Sequence, residues 1–156
     1  MKKINIGFEK NTIDIVSVIL NKILSNEYLL YTKTRNFHWN VKGQHFNDLH
    51  KFFEKQYGEL DESIDEIAER IRMLNVYTNA NLNYFLKNSS LKENFSYIDS
   101  DNMIEELLSD HEIIIQMLRK DIENISDLND YGNIDFLTSL LQKHEKMAWM
   151  LRSMNN

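Results

Sequence analysis

Two histidines and two carboxylates in one stretch of this chain are of the types and spacing that metal chemistry needs. His38 and His50 lie on either side of a short turn, and Asp65 and Glu69 follow one helical turn apart in the next segment. Neutral imidazole with carboxylate suits a first-row metal such as iron, without the very tight binding that thiolates would give. The spacing is awkward for a single subunit. His50 and Asp65 are 15 positions apart, so a continuous helix separates them by ~22 Å. His38, just across the turn, is equally remote.

A two-fold axis resolves the difficulty. Two copies of the segment laid antiparallel, crossing near positions 57 and 58, bring His50 of one chain opposite Asp65 of the other. Gly58 adjoins that midpoint, where a glycine inside a helix is otherwise costly. Steps of three or four place His50, Glu54, Asp61, Asp65 and Glu69 on one face. The spacing therefore predicts a site built between subunits and present twice per dimer. A helix rich in Asp and Glu is otherwise simply a solvated face, and an isolated histidine is usually structural.

Four amphipathic segments must position these groups. The first is predicted over about 11–41, with Val16, Leu20, Ile23, Leu30 and Tyr31 near helical period. The second, about 46–74, has the cleanest stripe: Leu49, Phe53, Tyr57, Leu60, Ile64, Ile67, Ile71 and Leu74. The third, about 101–125, follows Ser100 as N-cap, and the fourth, about 133–152, follows Gly132. Gly43 and Gly132 mark two short turns. The longer Asn- and Ser-rich connection from Asn75 to Asp99 has room for a short extra helix at about 80–86. Two short turns and one long crossover describe an all-α, ferritin-like four-helix bundle, with residues 1–156 forming one domain.

The stretch from Arg35 to Arg72 resembles the signature of the Dps-type mini-ferritins (DNA-binding proteins from starved cells). The matching elements are the turn Phe37-His38-Trp39-Asn40-Val41-Lys42-Gly43, the pair Leu49-His50 with Phe53, and Asp65-Glu66-Ile67-Ala68-Glu69-Arg70. The likeness extends to Leu30-Tyr31 and Lys33, and to His144-Glu145-Lys146 with Trp149, and is weakest from Val76 to Asp99. The resemblance implies a hollow twelve-subunit cage that oxidises Fe(II), preferentially with hydrogen peroxide, and stores ferric mineral. It implies a ferroxidase centre shared at the two-fold interface, with His38 and His50 from one chain facing Asp65 and Glu69 of its neighbour. Glu54 falls where the family often has an acidic residue that helps hold a second iron or its water. Trp39, next to His38, is a candidate sink for stray oxidising equivalents, with packing at the helix end as the alternative. The family also lines three-fold channels with acidic residues near the start of the last helix, where Asp127, Asp130 and Asp135 stand here.

A classical ferritin is disfavoured, because its in-bundle centre uses Glu-x-x-His pairs. The residues three before the five histidines are Arg35, Lys42, Asn47, Leu108 and Leu141. His111 and His144 fall on apolar stripes and are expected to be hydrogen-bonded core residues, and His45 has no assigned role. The alternative function is a DNA-compacting stress protein in which iron oxidation is secondary. Only Lys2, Lys3 and Lys10 precede the first helix, the end Arg152-Ser-Met-Asn-Asn is not basic, and the net charge is −6. Tight DNA binding is therefore not expected. The 156 residues contain no cysteine and no proline, which excludes disulfides and thiolate sites and agrees with long helices. With no signal-peptide pattern and no run of ~20 apolar residues, a soluble cytoplasmic protein is expected.

Overall fold

The computed structural model describes residues 4–93 and 97–154. Five helices follow in order: α1 (Lys10–Asn40), α2 (Phe46–Met73), α3 (Leu82–Asn88), α4 (Ser100–Ser126) and α5 (Tyr131–Met154). Among the described residues there is no strand. The chain is an all-α, ferritin-like bundle of four long helices, with the short α3 in the connection between α2 and α4.

Side-chain pairs fix the helix directions. Tyr31 meets Tyr57 and Phe37 meets Phe53, so α1 and α2 run antiparallel. Lys33 bonds Asp110 while Asn26 reaches Met117, so α1 and α4 are antiparallel too. Consequently α2 and α4 run parallel, which a short turn cannot achieve and a long crossover can. The stripes on α1, α2, α4 and α5 meet in one core. Val16, Leu20, Phe53, Leu60, Ile67, Leu107, Ile114, Leu137 and Leu151 are each fully buried. Each such side chain contributes roughly 1.5–3 kcal/mol of burial free energy.

Local chemistry sets the ends. α1 stops at Asn40, where Val41 turns extended and Gly43 takes φ +113°, a conformation that favours glycine. Asp99, rather than Ser100, caps α4 by accepting the Asn102 N–H at 2.9 Å; Ser100 is the first helical residue. Asn81 caps α3 in the same way, accepting from Tyr84 N–H, so that helix starts two residues later than the sequence suggests. Gly132 is not in the turn before α5 but in its first helical turn. The reversal falls on Asn129, at φ +56°, and on Asp130, whose carboxylate accepts the Asn133 N–H at 3.0 Å. Lys10 opens α1 instead of preceding it, and Lys2, Lys3, Asn155 and Asn156 lie outside the described residues.

α1 holds the crossover through two buried asparagines. The Asn21 side-chain oxygen accepts the Asn79 N–H at 3.0 Å. That of Asn26 accepts from the Ser90 N–H at 2.7 Å and from the Ser89 hydroxyl at 3.0 Å. Polar residues that would weaken a free helix are thereby used to dock the connection.

Candidate metal centre

The end of α1 and the start of α2 bring His38 and His50 together. Their rings stack with centroids 3.8 Å apart and planes 22° from parallel. Each Nδ1 bonds the other residue's backbone carbonyl, His38 to His50 at 2.8 Å and His50 to His38 at 2.9 Å. A carbonyl oxygen only accepts, so each Nδ1 carries a proton and Nε2 is the ring atom left for a metal. That arrangement fixes the tautomer a metal-ligating imidazole needs. Phe46 stacks on His50 at 5.1 Å and Tyr57 stands edge-on to His38 at 5.2 Å, so both rings are held by packing as well. His38 is buried and His50 half-buried.

Asp65 and Glu69 lie on the same unbroken α2 as His50, exposed, and separated from the histidines by the length of the helix. Among the described residues no group of three His, Asp or Glu side chains could hold a metal within one chain. The carboxylates of α2 divide into two kinds. Glu59 pairs with Lys55 and Glu66 with Lys143. Glu54, Asp61, Asp65 and Glu69 are exposed, and no hydrogen bond or ion pair among the described residues engages them. With His50 and Gly58 they occupy about 100° of the helix circumference. A Cβ added at Gly58 would meet nothing within 4 Å in its own chain.

The remaining residues singled out from the sequence divide by surroundings. Trp39 is 65% exposed, with the Arg35 guanidinium 5.3 Å from its ring centre. Asp127 and Asp135 are exposed. Asp130 is not: it is 2% exposed and its carboxylate is used in capping α5, also accepting from the Asn133 amide at 2.5 Å. Asn133 in turn accepts from Arg70 at 3.0 Å, tying this cap to α2.

Sequence reasoning missed how polar the interior of α1 is. Glu27, fully buried, bonds His144 Nε2 at 2.8 Å, and His144 Nδ1 meets His111 Nδ1 at 2.9 Å. The two histidines are thus hydrogen-bonded core residues, linking α1, α4 and α5. Desolvation first, and the neighbouring His144 second, hold His111 well below the ordinary imidazole range, so it is neutral. Lys33 is buried between Glu106 at 2.8 Å and Asp110 at 2.6 Å. Burial raises the Asp110 carboxyl above its ordinary range, against the opposing pull of Lys33. Nothing but apolar neighbours in helical register could have pointed to Glu27, because its partner stands on the last helix.

The family model of the ferritin-like domain matches residues 18–156. A protein of Bacillus anthracis named DNA protection during starvation protein 2 is 37% identical over 138 residues, covering 88% of this chain and 94% of that one. The chain belongs to the Dps-type mini-ferritins. A low temperature-induced protein of Nostoc sp. is 41% identical over 155 residues, covering 98% of this mini-ferritin and 87% of the relative. Among solved structures, the Dps protein of Vibrio cholerae O1 superposes with a TM-score of 0.94 at 29% identity, covering 100% of this chain and 98% of that one. That protein is described as a member of a broad superfamily of ferritin-like diiron-carboxylate proteins. Dps of Thermosynechococcus elongatus gives a TM-score of 0.89 at 31% identity, over 94% and 96% of the two chains.

Proposed function

We propose that this mini-ferritin takes up Fe(II), oxidises it with hydrogen peroxide at centres shared between two-fold related subunits, and stores the ferric product inside a twelve-subunit cage. The observation that carries this reading is the locked His38–His50 pair at one end of α2 and the unpaired carboxylates at the other, with Gly58 between them. His38 and His50 of one subunit supply two imidazole Nε2 atoms, and Asp65 and Glu69 of the neighbour supply hard oxygens. Glu54 supplies a further oxygen for a second iron or its water. Imidazole and carboxylate retain Fe(II), and carboxylate also tolerates Fe(III). Two Fe(II) substrates at one centre give peroxide two electrons: 2 Fe2+ + H2O2 + 2 H+ → 2 Fe3+ + 2 H2O. Both oxygens leave as water and no hydroxyl radical forms.

The locked tautomers matter for this chemistry. Each Nδ1–H donation to a carbonyl holds the ring in place and leaves Nε2 to meet the metal. Trp39, exposed beside the pair, serves as a sink for oxidising equivalents that escape the iron. Exposed Asp127 and Asp135 are the acidic groups available for an iron channel near the start of α5. Family membership and the all-α fold support iron storage and protection against oxidation, and among the described residues no helix is long and apolar enough to cross a membrane. We place the protein in the cytoplasm.

Anaerobic Fe(II) titration followed by peroxide tests the reading. Replacing His38 and His50 together by Ala should remove the fast phase of iron oxidation, and an unchanged rate would sink the assignment. Tight binding to DNA is not part of this proposal, since the chain carries a net charge of −6. Retention of linear DNA by the intact cage in a gel-shift assay at moderate salt would reverse that judgement.

A further inference from the structure

Three tyrosines stand in file beside the histidine pair. Tyr57 meets His38 edge-on with centroids 5.2 Å apart. Tyr31 meets Tyr57 at 6.1 Å, and Tyr28 follows Tyr31 at 6.1 Å and stacks on Phe85 of α3 at 4.6 Å. All three tyrosines are half-buried within the single subunit, their rings packed against neighbouring side chains. The Arg35 guanidinium lies 5.6 Å from the Tyr31 ring centre and 5.3 Å from that of Tyr57, and it donates a hydrogen bond to the Tyr31 hydroxyl.

Packing alone does not require phenols here. Phenylalanine would fill the same space without a hydroxyl to satisfy. What a phenol adds is an electron and a proton that can leave together. In a chain with no cysteine, tyrosine and tryptophan are the readily oxidised aromatic groups near this pair. Trp39 is exposed and packs against Arg35, whereas Tyr57 touches the His38 ring itself.

We propose that Tyr57 is an electron donor to the iron centre, and that Tyr31 and Tyr28 carry the resulting oxidising equivalent away from the histidines. The inference rests on the ferroxidase reading above. It addresses a centre holding one Fe(II) only, where peroxide would receive a single electron and release hydroxyl radical: Fe2+ + H2O2 → Fe3+ + OH− + •OH. With Tyr57 as second reductant the balance becomes Fe2+ + H2O2 + TyrOH + H+ → Fe3+ + 2 H2O + TyrO•. The O–O bond breaks, iron and phenol lose one electron each, and both oxygens leave as water. The phenolic proton and one from solvent complete the two waters.

The Tyr57 radical is then reduced by an electron from Tyr31, and Tyr31 by one from Tyr28, each donor losing a proton and each acceptor gaining one, so that every exchange leaves one phenol and one phenoxyl. Both ends of each exchange are neutral, so the Arg35 cation does not oppose it as it would oppose a radical cation. Its N–H on the Tyr31 oxygen supports the phenoxyl as well as the phenol. A later Fe(II) resets the file: Fe2+ + TyrO• + H+ → Fe3+ + TyrOH.

Freeze-quench EPR on the assembled protein tests this, with Fe(II) added anaerobically at less than one per centre and then peroxide. The wild type should give a tyrosyl signal, and Tyr57→Phe, which removes one hydroxyl and keeps the ring, should lower its yield several-fold. A hydroxyl-radical spin trap should report several-fold more adduct from Tyr57→Phe than from wild type. In wild type at two irons per centre the tyrosyl yield should fall, because iron then supplies both electrons. Iron oxidised at the centre with no tyrosyl signal, or with equal signals from wild type and Tyr57→Phe, overturns the relay alone. No fast iron oxidation in wild type overturns the ferroxidase reading beneath it.

Discussion

At the scale of single residues, the centre and the bundle interior use histidine in opposite ways. His38 and His50 donate Nδ1–H to carbonyls and keep Nε2 free, whereas His144 has both ring nitrogens engaged, by Glu27 and by His111. His111 is neutral in the fold because burial disfavours its cation. The sign follows from proton uptake. Unfolded, the ring titrates near its ordinary value of 6.5; folded, it titrates well below that. Below 6.5 the unfolded chain binds more protons, so stability contributed by this group falls as pH drops through that value, and is constant above it. Thermal unfolding against pH should therefore show a decline on the acid side that His111→Leu flattens. An identical slope in the variant would show that His111 is not the group responsible. Lys33 gives a second outcome at this scale. Lys33→Ala leaves the carboxylates of Asp110 and Glu106 without their shared cation, and should cost about 3–5 kcal/mol in urea denaturation, as for removing one partner of a buried pair. A loss under about 1 kcal/mol, the range of a surface pair, would mean that water replaces the lysine.

At the scale of elements, α1 explains what the sequence could and could not disclose. The apolar stripes, the Gly43 turn and the long crossover were all legible, because periodicity and turn residues act within a few positions of one another. The contents of the α1 interior were not. Asn21, Asn26 and Glu27 carry no local signal of burial, Lys33 enters only through the family likeness, and their partners Asn79, Ser90, His144 and Asp110 lie far along the chain. The candidate site was legible in part for the same reason: the ruler of α2 sets the distance between its candidate ligands, but the mutual Nδ1–carbonyl lock depends on how the α1–α2 turn closes. Asp130 shows the converse, a carboxylate that reads as available from its neighbours yet is absorbed in a helix cap. The Asn26 clamp can be probed directly. Asn26→Ala removes the acceptor for the Ser90 N–H and the Ser89 hydroxyl, and should cost about 1–3 kcal/mol as a buried bond left unmade. Hydrogen exchange should then quicken at Ser90 while α2 amides keep their protection; unchanged exchange at Ser90 would deny the clamp.

At the scale of the whole molecule, the reading proposed above makes a subunit with histidines at one end of α2 and unpaired carboxylates at the other half of two centres. Its natural complement is a second copy of itself in an isologous pair. In that reading Gly58 is the pivot of the pair. Since a Cβ there meets nothing within 4 Å in its own chain, Gly58→Leu should leave the subunit folded, and by helix propensity about 1 kcal/mol more stable. Sedimentation should nonetheless find the pairing weakened, and wild-type assembly by the Leu variant would remove the pivot from the account. The central claim, that each centre draws on two chains, is tested most directly by complementation. Subunits carrying His38→Ala and His50→Ala are co-assembled in equal amounts with subunits carrying Asp65→Asn and Glu69→Gln, and fast peroxide-driven Fe(II) oxidation is measured. Each variant alone should lack the fast phase. In every mixed pair one centre receives intact histidines and intact carboxylates, so random mixing should restore roughly a quarter of the wild-type amplitude. No recovery in verified mixed assemblies, or a fast phase in either variant alone, would contradict the shared centre.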